Sequence, residues 1–215
     1  MNEMTTTAPR VPPPAEETAS THERLLSCAA SLFAERGYGG TSMADLAEQV
    51  GVRKASLYNY YPSKEEILME LLRRGLVAAA EACLPALEED APYGERLWRH
   101  FRASVRFAAE QPELVAIFRV VATQIGGELG VRAAGMVMEQ RLLQRRRLAA
   151  FFAEAAVAGA VADAPPEDLS YVFRTFTHGV LIGHLGACDV DERLDEARLE
   201  RVWSLFWRGL GGGES

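Results

Sequence analysis

The stretch from 41 to 67, TSMADLAEQVGVRKASLYNYYPSKEEI, constrains this chain more than any other, because its punctuation fixes two short helices and the start of a third. Ser42 can accept the backbone N–H of Asp45 while the Asp45 carboxylate answers the free amide of Ser42, which is a capping box. The helix so opened carries Met43, Leu46, Ala47 and Val50 on one face. Gly51 follows where a left-handed residue is wanted and a Cβ would be penalised. A second helix is expected from about Lys54 to Tyr60, stopped by Pro62, since proline disfavours helical geometry in the residue before it. Ser63 and Glu66 are placed to form a second capping box.

This layout predicts a helix-turn-helix, with small Ala47 at the crossing, Gly51 in the turn, and Val52 and Leu57 as the buried pegs of the second helix. That helix offers Lys54, Ser56, Tyr58, Asn59 and Tyr60 outward. Hydrogen-bond donors and flat rings with one charge are groups that reach base edges and phosphates. Lys64 falls in the first turn of the next helix, where a cation opposes the macrodipole; a phosphate there would receive both the ammonium and the backbone amides.

At this point residues 24 to 68, with LLSCAASLFAERGYGGTSMADLAEQVGVRKASLYNYYPSKEEIL, resemble the DNA-binding domain of the TetR family of bacterial transcriptional regulators. The likeness combines an alanine-rich first helix ending in LFAERGY, the TSMADLAEQVGV pair and the LYNYYPSKEEIL junction. It implies that Lys54, Ala55 and Asn59 lie near base edges, and Ser42, Ser56, Tyr58, Tyr60 and Lys64 near the phosphate backbone. Arg53 departs from the small polar cap usual in the family, which weakens the cap and adds a candidate phosphate contact.

With 215 residues and 48% apolar content, the chain can hold one large or two modest domains around a proper core. No run of about 18 apolar residues suggests a membrane span. The N-terminus lacks the basic-then-apolar layout of a signal peptide, so a cytoplasmic protein is expected. Cys28, Cys83 and Cys188 are widely separated and odd in number, and read as small buried hydrophobes. A net charge of −7 argues against indiscriminate coating of nucleic acid. Residues 21 to 67 carry five cations (Arg24, Arg36, Arg53, Lys54, Lys64) against six acids (Glu23, Glu35, Asp45, Glu48, Glu65, Glu66). Attraction to DNA must therefore come from placement, and two copies reading two half-sites are needed.

The fold class expected is all-α: a flexible tail over 1–20, a helix-turn-helix domain over 21–67 and a helical ligand-binding and dimerisation domain over 68–210. Leu25, Leu26, Ala29, Leu32 and Phe33 recur at helical spacing before Gly37. Glu23 and Arg24, near the start of that helix, read as a solvated face. The helix opened by Ser63 runs to about Leu84 and connects head to body. PALEEDAPY, residues 85 to 93, reads as an acidic linker. Further helices are expected over about 94–110, from Pro112 to the Gly126–Gly127 break, over 128–158 with Gly135 as a weak point, over 166–187, and over 195–208. The RLLQRRR run reads as a solvated face, because acids share its helix. Neither strand pattern nor internal repeat is found.

Gly179, Gly183 and Gly186 fall at i, i+4 and i+7, and with Trp203 and Phe206 are assigned to a homodimer face, since the resemblance implies that the last two long helices pair with their copies; packing inside one chain is the alternative. His178, His184 and Cys188 do not converge as metal ligands at helical spacing, so no metal is expected. No catalytic residue, no cofactor and no enzymatic motif is found. The resemblance implies a small-molecule effector in the body, for which Leu76, Trp98, Phe101, Phe118, Met138, Phe173, Phe176 and Thr177 are the candidate lining. The expected function is thus a homodimeric regulator, in the first instance a repressor, that binds a palindromic double-stranded DNA operator and is released by an apolar or amphipathic effector. A body that only dimerises, and a helical binding protein whose head meets protein, are the alternatives.

Overall fold

The computed structural model describes residues 15–184 and 195–212. Among these it contains nine α-helices and one 3-10 turn, and no strand. The all-α expectation holds.

The head opens with α1 (Ala15–Arg36), which begins earlier than its periodicity suggested. Gly37 closes it at φ +73°, a left-handed conformation. Ser42 caps α2 (Met43–Val50) with both halves of the capping box: the Asp45 amide donates to the Ser42 hydroxyl at 3.2 Å, and the Ser42 amide donates to the Asp45 carboxylate at 2.7 Å. Gly51 ends it at φ +78°, with its own N–H and that of Val52 both donating to the Ala47 carbonyl at 3.0 Å. That left-handed closure turns the chain back over Ala47. The next helix, α3 (Lys54–Leu57), is shorter than expected: residues 58 to 60 continue as a tighter turn, with Asn59 N–H on Ser56 O and Tyr60 N–H on Leu57 O. Arg53 caps it without a side-chain bond, as its departure from a small polar cap implied.

The long connector is α4 (Lys64–Cys83). Ser63 caps it by accepting the Glu66 amide at 3.3 Å, but the reciprocal half of the expected box is replaced by an ion pair from Glu66 to Arg132 at 2.8 Å. The expected linker after it is packed structure: Leu84–Glu88 forms the 3-10 turn, burying Leu84, Ala86 and Leu87. Then come α5 (Tyr93–Glu110), α6 (Pro112–Gln124, with proline in its first turn), α7 (Gly127–Val157, unbroken through Gly135) and α8 (Pro166–His184). Asp195 caps α9 (Glu196–Gly209) by accepting the Arg198 amide at 2.7 Å.

Two cores result. The first joins α1 to α3 and the first half of α4 with Ile117 and Val120 of α6 and Ala133 of α7. The second joins the end of α4 to α5, α7, α8 and α9. Leu68, Leu71 and Leu72 belong to the head core, so packing carries the head past the boundary expected at residue 67.

Candidate nucleic-acid interface

The head holds its turn by spending polar side chains inward. Arg24 donates to the Val50 carbonyl at 2.6 Å, tying α1 to the end of α2. Glu23 pairs with Arg74 on α4 at 2.7 Å, and Arg74 and Arg73 both reach Glu70. The Arg73 and Arg74 guanidiniums hold the Glu70 carboxyl down, to about 2. Glu23 and Arg24 are exposed, as the solvated face expected of them, and also serve as ties. His22 stacks on Tyr61 and bonds its hydroxyl at 2.8 Å, with the Tyr60 ring 6.2 Å away, centre to centre.

Lys64 is the largest departure. Its ammonium donates to the carbonyls of Tyr38 and Thr41, each at 2.7 Å, and lies 4.0 Å from the centre of the Tyr38 ring. Burial lowers its pKa. Two of its three N–H bonds are therefore committed to the turn between α1 and α2. A distant turn explains the cation that opposes the α4 dipole, and no residue beside it signals that turn. Ser42 is likewise engaged, its hydroxyl donating to Asp45 at 2.6 Å, which lowers the Asp45 pKa.

Around α3 the pattern reverses. Arg53, Lys54, Ala55, Tyr58 and Asn59 are exposed, and Ser56 is half-buried. Among the described residues no side chain of Arg53, Lys54, Ser56, Tyr58 or Asn59 makes a hydrogen bond or an ion pair. Leu57, on the opposite side, is completely buried. Tyr60 differs from its neighbours in packing against the head core. The outward surface is thus a contiguous set of unpaired donors, one ring and two cations carried on a rigid frame.

The body residues do not converge as expected. Leu76 and Phe118 pack against the head core, and the Phe118 ring fills the space beside Gly75. Met138 is 55% exposed. Trp98, Phe101, Phe173 and Phe176 stack in the second core, where Phe101 is fully enclosed. The Thr177 hydroxyl is buried without a hydrogen-bond partner among the described residues. None of these eight residues borders either of the two grooves seen among the described residues. An open groove of about 450 Å³ lies between α4 and α5, bordered by Ala78, Ala82, Ala103 and Phe107.

Trp203 and Phe206 also depart from their assignment to a dimer face. Trp203 stacks with Phe101, Trp98 and Trp207, and Phe206 lies 4.0 Å from Phe176, centre to centre. Their rings cover the inside of α9. Gly179 is exposed, with nothing within 4 Å of where a Cβ would stand. Gly186, Cys188 and the surroundings of Gly183 and His184 lie outside the described residues. Cys83 is buried and Cys28 half-buried, both as free thiols. Among the described residues no group of metal-ligating side chains is found, and no helix is long and apolar enough to cross a membrane.

The geometry defines an all-helical protein with a helix-turn-helix head. Residues 25–71 match the sequence model of the family described as bacterial regulatory proteins, tetR family. The HTH-type transcriptional repressor KstR2 of Rhodococcus jostii (strain RHA1) is 45% identical over 65 residues, 29% of this chain and 32% of that protein. The chain thus spans about a third of that curated relative. Among solved structures, the TetR family transcriptional regulator PfmR from Thermus thermophilus superposes with a TM-score of 0.66 at 25% identity, covering 89% of this chain and 96% of that one. AibR in complex with isovaleryl coenzyme A and operator DNA gives a TM-score of 0.65 at 21% identity over 88% of this chain and 97% of that one, a likeness of fold. By the sequence of its head and the fold of the whole, this chain is TetR-like.

Proposed function

We propose that the chain is a TetR-type transcriptional regulator that binds an operator in duplex DNA through the outward face of α3. The observation that carries this is the contrast within the head: Arg24 and Lys64 are tied to backbone carbonyls, whereas Arg53, Lys54, Tyr58 and Asn59 are left exposed and unpaired. Cations kept free of acid partners in a chain of net charge −7 are placed to meet an external anion. Repression is the sense in which the regulation is proposed, in keeping with the relatives named above.

Two copies are required to read two half-sites, and an exposed apolar surface supports a homodimer. Val131, Met138 and Leu142 follow one stripe of α7, and Tyr171, Val172 and Ile182 share the open face of α8 with Gly179. Contiguous exposed apolar surface of this kind marks an interaction site. It takes over the role first given to Trp203 and Phe206.

The proposed response to an effector runs through α6. Its Ile117 and Val120 are part of the head core, its Gln124 accepts the Tyr38 amide at 2.9 Å, and its Glu113 accepts the Ser31 hydroxyl at 2.7 Å. A ligand that favours one placement of α6 shifts the pair of heads relative to the roughly 34 to 36 Å half-site spacing of one helical turn. The closed aromatic core favours a second reading, in which the body dimerises and binds nothing.

Selection of bound duplexes from a random pool at physiological salt tests the first claim. An inverted repeat is expected; retention without a motif, or no retention, would reject operator recognition. A screen of small amphipathic compounds for release of the selected duplex separates the two readings of the body.

A further inference from the structure

The groove between α4 and α5 has an apolar floor and an unevenly paired rim. Ala78, Ala82 and Ala103 line it beside the half-buried Phe107 ring, with Glu81 and Gln111 among its polar residues. A second depression, bordered by Arg74 and Val77, shares Ala78 and Glu81 with it and continues it along α4 towards the head. Val77 is 39% exposed there. Arg73 and Arg74 are committed to Glu70 and Glu23, and Arg106 lies 3.8 Å from Glu110. Glu81 and the Gln111 side chain are exposed and have no partner among the described residues. The groove thus offers a free carboxylate and a free amide beside apolar surface, the makings of a docking site.

The chain itself carries a segment of matching chemistry. Residues 1–14 lie outside the described structure and end in PRVPPP, residues 9–14. Four prolines favour the extended polyproline II form, whose carbonyls are free to accept from an amide and which aromatic grooves take up at low entropic cost. Arg10 is the only cation among the fourteen residues.

The segment also starts in the right place. Lys64 reaches Tyr38 and Thr41 just beyond the end of α1, while Arg74 reaches Glu23 near its beginning, so α1 and α4 run in opposite senses. From Glu23 back to Ala15 is about 12 Å of helix, and from Arg74 on to Glu81 about 10 Å. The start of α1 thus comes level with the groove, at the end of the head remote from Lys64. Five extended residues from Ala15 to Arg10 span about 16 Å, enough to cross from α1 over α4.

We propose that the groove between α4 and α5 is the seat of the chain's own residues 9–14, with Arg10 on Glu81 and the proline run against Phe107. Because α1 belongs to the head core and α5 to the body core, the seated segment ties the two together, beside the tie made by α6. A tether this short holds the segment at an effective concentration on the order of mM, so even a weak seat is occupied.

The test is photo-cross-linking of the full chain, with Val11→benzoylphenylalanine as the probe. Irradiation is expected to join position 11 to residues 78–82 or 103–111 of the same chain. Free peptide TAPRVPPP, residues 7–14, should lower the yield when added at about ten times the effective concentration of the tether. Glu81→Arg should lower it about 2- to 3-fold, the worth of an exposed ion pair, and Glu81→Arg with Arg10→Glu should restore it. Arg10→Glu should melt about 1–2 °C lower than the wild type, and the double reversal should not. Links to any other part of the chain, links that join two chains, or a yield unchanged in Glu81→Arg overturn the proposal. So do links to duplex DNA in place of the groove, which would make the segment an arm on the nucleic-acid backbone. Equal melting of Arg10→Glu and the wild type rejects the tie of head to body.

Discussion

The head core is mostly aliphatic, built around the one enclosed ring of Phe33, and is locked at its edges by charge, whereas the body core is aromatic and encloses a neutral imidazole. In the head, Leu25, Leu46, Leu57, Ile67, Leu68 and Leu72 are fully buried, Arg24, Lys64 and Arg74 tie one element to another, and Glu70 holds Arg74 from within α4. In the body, Trp98, Phe101, Phe173, Phe176, Trp203 and Phe206 form a continuous set of ring contacts. His100 lies among them, donating from Nδ1 to the Cys83 carbonyl at 2.9 Å and packing on Phe173. A polar tie has one geometry and fixes a reading surface. Ring pairs contribute about 0.5–1.5 kcal/mol each over a range of tilts, so a core made of them tolerates repacking. The difference suits a rigid reader to an adaptable body.

The largest effect should come from the centre of the rings. Phe101→Ala is expected to cost about 3–5 kcal/mol, because the enclosed cavity cannot collapse fully. All three tryptophans, Trp98, Trp203 and Trp207, lie in the body, so their fluorescence during denaturation reports that core alone. Helix content, by circular dichroism, should follow the same midpoint, since α4 and α7 belong to both halves. Two separated transitions would break the comparison by making head and body independent.

Acid should distinguish the halves next. Burial pushes the His100 imidazole down to about 4, against 6.5 unperturbed. The unfolded chain takes up a proton below about 6.5 while the folded chain resists it, so His100 contributes fully above that pH and its contribution is lost as pH falls towards 4. The loss is on the order of 3 kcal/mol. Glu70, held down to about 2 in the folded head, keeps its contribution above about 4.5 and loses it between there and 2. The tryptophan signal should therefore weaken in stability from pH 6.5 downward, before the head ties fail. A stability that is flat from pH 7 to 4.5 would show that His100 is protonated in the fold.

Lys64→Ala brings the comparison to the interface. Removing the ammonium leaves the Tyr38 and Thr41 carbonyls without their donor, at about 1–3 kcal/mol. The third N–H remains for a phosphate, so binding to all duplexes should weaken and the salt slope become shallower by about one unit. Asn59→Ala, with no internal partner, should leave the melting temperature alone and relax preference at one base position by about 1–3 kcal/mol. A lowered melting temperature in Asn59→Ala, or an unchanged one in Lys64→Ala, would reverse the division into ties and readers.

These residues also show what the sequence could and could not reveal. Ser42, Asp45, Gly51 and Ser63 act within a few residues of themselves, and local chemistry was enough to place them. The helix limits around Pro112, Gly127 and Asp195 were legible for the same reason. Lys64 bonds across more than twenty residues, and nothing near it marks the turn it serves. Periodicity shows that Trp203 and Phe206 have a covered side but not what covers it, so a face packed within the chain and one packed against a second copy read alike. The aromatic effector candidates divide between two cores for that reason: an aromatic residue in a helix carries no sign of which of two cores it enters.

The smallest of these effects is the cleanest test of the head as a rigid frame. A Cβ at Gly51 would meet nothing within 4 Å, so space is not at issue there; the backbone sits at φ +78°. Gly51→Ala should cost about 1–2 kcal/mol from left-handed strain alone. If the turn stays closed, operator affinity measured below the melting range should equal that of the wild type, because the Ala47 carbonyl still receives both amides and α3 keeps its place. If the strain is relieved by opening the turn, stability should fall by less and affinity by more, since α3 would move relative to α2. Measuring both quantities on the one variant decides whether the loop yields or holds, and a loop that yields would place adaptability in the head as well as in the body.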